Sequence, residues 1–247
     1  MIKVVLYVLY ALLGVFATVA PIIYIKRKFG GSLKRVRDGI AVYLIFSSVL
    51  NAVLYTVLAV GFSLAEKIEK TALLYAIINA AILTCSATLG RVIWLKFVVK
   101  IEGSSGDALL FGAGYSSAYM VLSYVVTAIA NSVISVITYV NENAEISTIF
   151  TSNINQVQNT NLYNLFLEIA QMLLIFVFEA AISVVFYCVI LRGKDKKWLF
   201  AGILLHFLGS AVIRYSDISY SVIVLIFFAL TVISAGLAHW LLLEKKE

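Results

Sequence analysis

The sequence is poor in charge, in cysteine and in histidine, and each shortage excludes something. Charged side chains make up 13% of the 247 residues against 62% hydrophobic. That excludes an ordinary soluble core and matches an integral membrane protein. The two cysteines, Cys85 and Cys188, lie in apolar segments and form no CxxC pair. They read as small buried hydrophobes, and neither a disulfide nor a zinc site is expected. His206 and His239 are the only imidazoles, and HExxH, P-loop, GxSxG and dinucleotide fingerprints are all missing. No metal and no cofactor are expected. The 19 Lys and Arg exceed the 13 Asp and Glu. The basic residues cluster between the apolar runs and read as topology signals, so nucleic-acid binding is not expected.

What is present is a series of long apolar runs. Seven are long enough, or nearly so, to cross a bilayer: roughly 3–25, 39–64, 71–98, 107–138, 164–191, 198–213 and 219–243. The expected fold is all-α, a polytopic bundle of about seven membrane helices forming a single integral membrane domain over 1–247. The first run reads as a retained helix, because Pro21 follows its small-x-small pattern and disfavours cleavage. The sixth run is short. The fourth must be broken, steeply tilted or extended beyond the bilayer.

Basic residues set the expected orientation. The connections after runs 1, 3 and 5, together with the C-terminal tail, carry 14 Lys and Arg, and the opposite side carries four. The N-terminus is therefore expected outside and the C-terminus in the cytoplasm of a multi-pass cell-membrane protein. The Asn141–Leu162 connection then falls outside. It has no Lys or Arg and is rich in Asn, as a solvated loop would be.

Polar groups inside the runs are the informative ones, since charge at membrane depth is costly and usually faces the bundle interior. Run 3 carries Asn79, Thr84, Ser86, Thr88 and Arg91, and run 5 carries Glu168, Gln171, Glu179, Ser183 and Tyr187. Run 6 carries His206 and Ser210. Glu168 and Glu179 are 11 residues apart, about three turns, and share a helix face. A polar seam between runs 3, 4, 5 and 6 is expected, with Arg91 paired to Glu179. In run 4, FGAGYSSAYM places Gly112 and Gly114 beside Tyr115, Ser116, Ser117 and Tyr119. Such glycines mean close helix packing.

Three segments together resemble a known family: PIIYIKRKFGGSLKRVRDGI, TCSATLGRVIWLKFVVKIEGSSGDALLFGAGYSSAYMVL and FEAAISVVFYCVILRGKDKKWLFAGILLHFLGSAVI. The arrangement is similar to the YhfC family of glutamic-type intramembrane proteases, relatives of the CAAX-protease-like membrane peptidases. The resemblance implies a Glu-Glu pair ahead of a Gly-Arg. Gly90 and Arg91 are present, but Ala87 and Thr88 stand at the Glu-Glu positions. It implies a Gly-x-Gly-His-Gly-Gly-x-Glu-Ala helix, where Gly112 and Gly114 are kept and Tyr115 and Tyr119 replace the His and the Glu. On the next helix Glu179 is kept, Ala180 replaces an Arg and Tyr187 lies near a His position. On run 6 His206 is kept and Ser210 replaces an Asp.

Hydrolysis by such a site needs a carboxylate base and donors for the oxyanion. Ala87 and Thr88 supply no base. The expectation is a catalytically degenerate protease-like protein that binds a membrane protein or a transmembrane segment within the lipid bilayer, as an accessory subunit. The alternatives are an active peptidase using Glu179 or Glu168 with His206, or a small-solute transporter. No inverted repeat supports the last of these.

Overall fold

The computed structural model describes residues 2–61, 71–101, 103–140, 162–215 and 217–243, and among them it contains helices and no strand. Helix α1 spans Ile2–Phe29. The next helix begins as α2 at Lys34–Val42, passes through wide π-helical turns at Tyr43–Leu50 and continues as α3 at Asn51–Gly61. Helix α4, Ala72–Ile93, ends in π turns at Trp94–Val99. Helix α5, Ser105–Met120, runs through π turns at Val121–Val125 into α6, Val126–Val140. Then come α7 (Leu162–Leu191), α8 (Lys197–Arg214) and α9 (Tyr220–Leu243).

Seven of these helical stretches are long and apolar enough to cross a membrane. The protein is an all-α polytopic bundle, and a multi-pass membrane protein. The fourth run is not broken. It stays helical from Ser105 to Val140 and changes only its winding at Val121–Val125. The sixth is an 18-residue helix, about 27 Å long at about 1.5 Å per residue. The Asn141–Leu162 connection lies outside the described residues up to 161.

Helix α5 is the axis of the bundle. From Ala108 to Ser117 every residue but Leu109 is buried, because α5 is enclosed by α1, α2 and α7. Glycine makes this enclosure possible. A Cβ on Gly112 would lie 2.5 Å from the Ala180 carbonyl oxygen on α7. On the other side, a Cβ on Gly114 would collide with the Val36 carbonyl oxygen, and one on Gly39 with the Phe111 carbonyl oxygen. The α2–α5 crossing therefore brings backbone against backbone through a reciprocal pair of glycines, the membrane solution to close helix approach.

The turn between α1 and α2 is pinned to the start of α5. Gly30 and Gly31 take positive φ of 73° and 87° to end α1. The Ser32 N–H then donates to Asp107 Oδ1 at 2.8 Å. Asp107 also closes a capping box with Ser104 at the α5 N-terminus. The α1–α2 and α4–α5 connections are thereby tied together at the basic end of the bundle.

Candidate functional site

Arg91 is the largest fully buried side chain, with no exposed surface. It lies near the end of α4, three residues ahead of the π turns. A buried guanidinium needs an anion and acceptors. Glu179, midway along α7, supplies the anion: Arg91 Nη2 donates to Glu179 Oε2 at 2.7 Å. Arg91 Nε donates to Ser183 Oγ at 3.1 Å, one turn further along α7. The Ser183 hydroxyl in turn donates to the Glu179 carbonyl oxygen at 2.8 Å. The face of the guanidinium is covered by the Tyr115 ring, with Cζ 3.9 Å from the ring centroid, a cation–π contact in a desolvated setting.

The second carboxylate oxygen is also occupied. His206 Nε2 lies 3.1 Å from Glu179 Oε1, and His206 Nδ1 lies 3.2 Å from Thr84 Oγ1. Protonated at Nε2, the ring donates to Glu179, and its other nitrogen meets the Thr84 hydroxyl. Phe178 stacks parallel to the imidazole at 6.4 Å between centroids. Arg91 and Glu179 compensate each other's charge, as buried charges at membrane depth must.

A tyrosine layer closes the site on the α2 and α5 side. Tyr115 OH and Ser47 Oγ are 2.6 Å apart. Tyr43 packs edge-on against Tyr115 at 5.4 Å and against Tyr119 at 5.5 Å, and Tyr119 meets Tyr124 at 6.3 Å. Tyr43 and Ser47 both sit in the π turns of the second span. Such turns often occur at functional positions, since the extra residue re-aims side chains.

The remaining candidates spread out. Ala87 is buried and Thr88 half-buried on α4, and the Thr88 hydroxyl makes no hydrogen bond. Ser210 is buried one turn beyond His206. Tyr187 packs on Phe111 at 6.1 Å, two turns from Glu179 toward the basic end. Glu168 does not join the site. Its spacing puts it on the face of Glu179, but three turns of helix rise separate them by about 16 Å. Glu168 instead lines a separate polar pocket with Tyr10, Tyr124 and Tyr220. The expected seam of runs 3 to 6 thus forms around Arg91, Glu179 and His206, with run 2 as an added wall.

Sequence reading missed Tyr43, Ser47 and Asp38. Asp38 is buried and pairs with Arg35 at 3.1 Å. Its only signal was a carboxylate in a basic segment, DG ahead of an apolar run. Among the described residues, no group of three or more His, Cys, Asp and Glu side chains is placed to hold a metal ion.

Comparison with known proteins gives one result. No curated protein and no solved structure matches the chain. A family model described as YhfC intramembrane metalloprotease matches residues 9–232. With the match running from α1 into α9 and taking in every residue of the buried Arg91–Glu179–His206 cluster, the chain belongs to the YhfC intramembrane metalloprotease family.

Proposed function

We propose that this YhfC-family membrane protein is a catalytically degenerate relative of the proteases, acting as a binding or accessory subunit for a membrane partner. The observation that carries the reading is the occupancy of Glu179. One carboxylate oxygen accepts from Arg91 and the other is bonded to His206. A general base must reach a water molecule with a free oxygen. Glu179 is buried with each oxygen already engaged by a fixed partner, and the Tyr115 ring lies on the guanidinium next to it.

The family description names a metal, and the residues here do not fit one. The donor set is a single carboxylate and a single imidazole, and they are bonded to each other. Arg91 sits at ion-pair distance from the same carboxylate. A divalent ion there would face a fixed positive charge at close range. The neighbours Thr84 and Ser183 are neutral hydroxyls already in hydrogen bonds. A catalytic zinc site needs three protein ligands and an open position.

Support for a binding role comes from an apolar groove of about 600 Å³ between α1, α5, α7 and α9. Ala113, Ala180, Ala181, Ala235 and Ala238 line it. Small side chains let a further helix approach closely in lipid. A second reading, active hydrolysis, is favoured by one fact: Glu179 and His206 are within hydrogen-bond reach of each other.

One experiment separates the two. The purified protein is reconstituted with single-span membrane substrates, alongside Glu179→Gln and His206→Ala. The expected outcome is no cleavage by any of the three, with a membrane protein co-purifying in mild detergent. Cleavage by the wild type that both substitutions abolish would establish the hydrolase.

A further inference from the structure

A second polar pocket lies far from the buried cluster. Its volume is about 220 Å³, and Tyr10, Ser123, Tyr124, Thr127, Asn131, Glu168 and Tyr220 line it. These residues come from α1, the α5–α6 junction, α7 and α9. Glu168 is half-buried, and no described basic side chain forms an ion pair with it. Beside the pocket, the Tyr220 hydroxyl donates to Oε1 of the buried Gln171. That contact fixes Tyr220 at the pocket wall.

Depth gives the pocket its context. Glu168 and Tyr220 are each 23 residues from the basic ends of their helices, and Tyr10 and Tyr124 are each 19. At about 1.5 Å per residue they stand about 28–35 Å up the bundle. A hydrocarbon core is about 30 Å thick. With the basic ends at one headgroup layer, the pocket lies at the other, where tyrosines gather.

We propose that this pocket binds a primary ammonium group on a short alkyl arm. Glu168 supplies the countercharge. The three tyrosines supply π-electron surface, which attracts a cation, and hydroxyl oxygens, which accept its N–H groups. Ser123 and Thr127 add further acceptors. An ammonium presents three donors and needs such a ring of oxygens. Calcium or magnesium is a poor fit, because a single carboxylate leaves a divalent ion under-compensated. The volume admits an ethylammonium-sized head and no folded peptide. The same head occurs on an aminophospholipid and on a free small amine, and the test tells these sources apart.

The protein is purified in detergent, stripped of lipid and heated with increasing ethylammonium chloride. Sodium chloride at equal ionic strength and ethanol at equal concentration serve as controls. A ligand that binds only the folded state raises the melting temperature saturably. The expected result is such a rise with ethylammonium alone, with an apparent affinity at least about tenfold weaker in Glu168→Gln. In parallel, native mass spectrometry compares retention of phosphatidylethanolamine and phosphatidylglycerol. Preferential retention of the ethanolamine lipid, lost in Glu168→Gln, assigns the source to the membrane. An ethylammonium response without that preference assigns it to a free amine. No saturable response in the wild type, or an equal response to sodium, overturns the site. So does an unchanged affinity in Glu168→Gln. Should that variant fail to fold, the wild-type contrast between ethylammonium and its controls decides.

Discussion

Arg91 on α4 and Glu179 on α7 are 88 residues apart in sequence and 2.7 Å apart in space, with neither group more than 8% exposed. The pair holds the cluster together, and its removal leaves one buried charge alone. Arg91→Ala is expected to cost about 3–5 kcal/mol, and Glu179→Gln should be comparably destabilising. Exchanging both for methionine should cost less than either single change, because no unpaired charge remains. Thermal unfolding in detergent measures all three. Singles that unfold like the wild type would remove the pair from its structural role.

The second prediction concerns metal. Glu179 and His206 are mutually bonded and Arg91 occupies the carboxylate. The purified protein should therefore carry no stoichiometric divalent metal, and a strong chelator should leave its melting temperature unchanged. Elemental analysis checks the first point. A bound equivalent of zinc lost on His206→Ala would contradict the geometry.

Much of this was legible before the structure, for identifiable reasons. Arg91, Glu179 and His206 are polar groups in runs that must face lipid or protein, so their cost pointed inward and toward one another. Helix periodicity put Glu179 and Ser183 on one face, and both meet Arg91. The π turns at Tyr43–Leu50 were not legible. They turn on backbone winding, which no residue type in YLIFSSVL signals. Tyr43 and Ser47 were missed with them. Glu168 shares the helix face of Glu179 as periodicity indicates, but three turns of rise carry it to the separate polar pocket.

The third prediction tests the glycine crossing. Gly114→Val places carbon against the Val36 backbone carbonyl, which has no rotamer by which to yield. A loss of about 1–3 kcal/mol or more is expected. Gly236 on α9 has nothing within 4 Å of its added Cβ. Gly236→Ala should raise stability by roughly 0.5–1 kcal/mol through helix propensity alone. Opposite shifts in melting temperature for the two variants are the expected signature.

The fourth concerns orientation, which we infer from the distribution of Lys and Arg. Ser32→Cys, in the basic connection tied to Asp107, should resist an impermeant thiol reagent in intact cells and react after permeabilisation. Ser152→Cys, at a position outside the described residues, should react in intact cells. The reverse pattern would invert the topology.

The fifth returns to FGAGYSSAYM. Gly112 and Gly114 are spent on close contacts with α7 and α2, and the Ser116 hydroxyl is bonded back to the Gly112 carbonyl oxygen at 2.8 Å. Tyr115 covers Arg91 and hydrogen-bonds Ser47, and Tyr119 packs on Tyr43 and Tyr124. Tyr115→His keeps a ring but shortens the reach to Ser47 and uncovers the guanidinium. Tyr119→Glu sets a second carboxylate into an aromatic wall, within electrostatic range of Arg214. Both should lower stability, because each replaces a packed aromatic with a polar group of different shape. Neither should produce proteolysis, since Ala87 and Thr88 still lack the carboxylates that the resemblance implies at those positions. The measurement is cleavage of a reconstituted single-span substrate beside the melting curve of each variant. A stable Tyr115→His protein that cuts substrate would show that one ring separates this scaffold from catalysis, and would reverse the reading of the site.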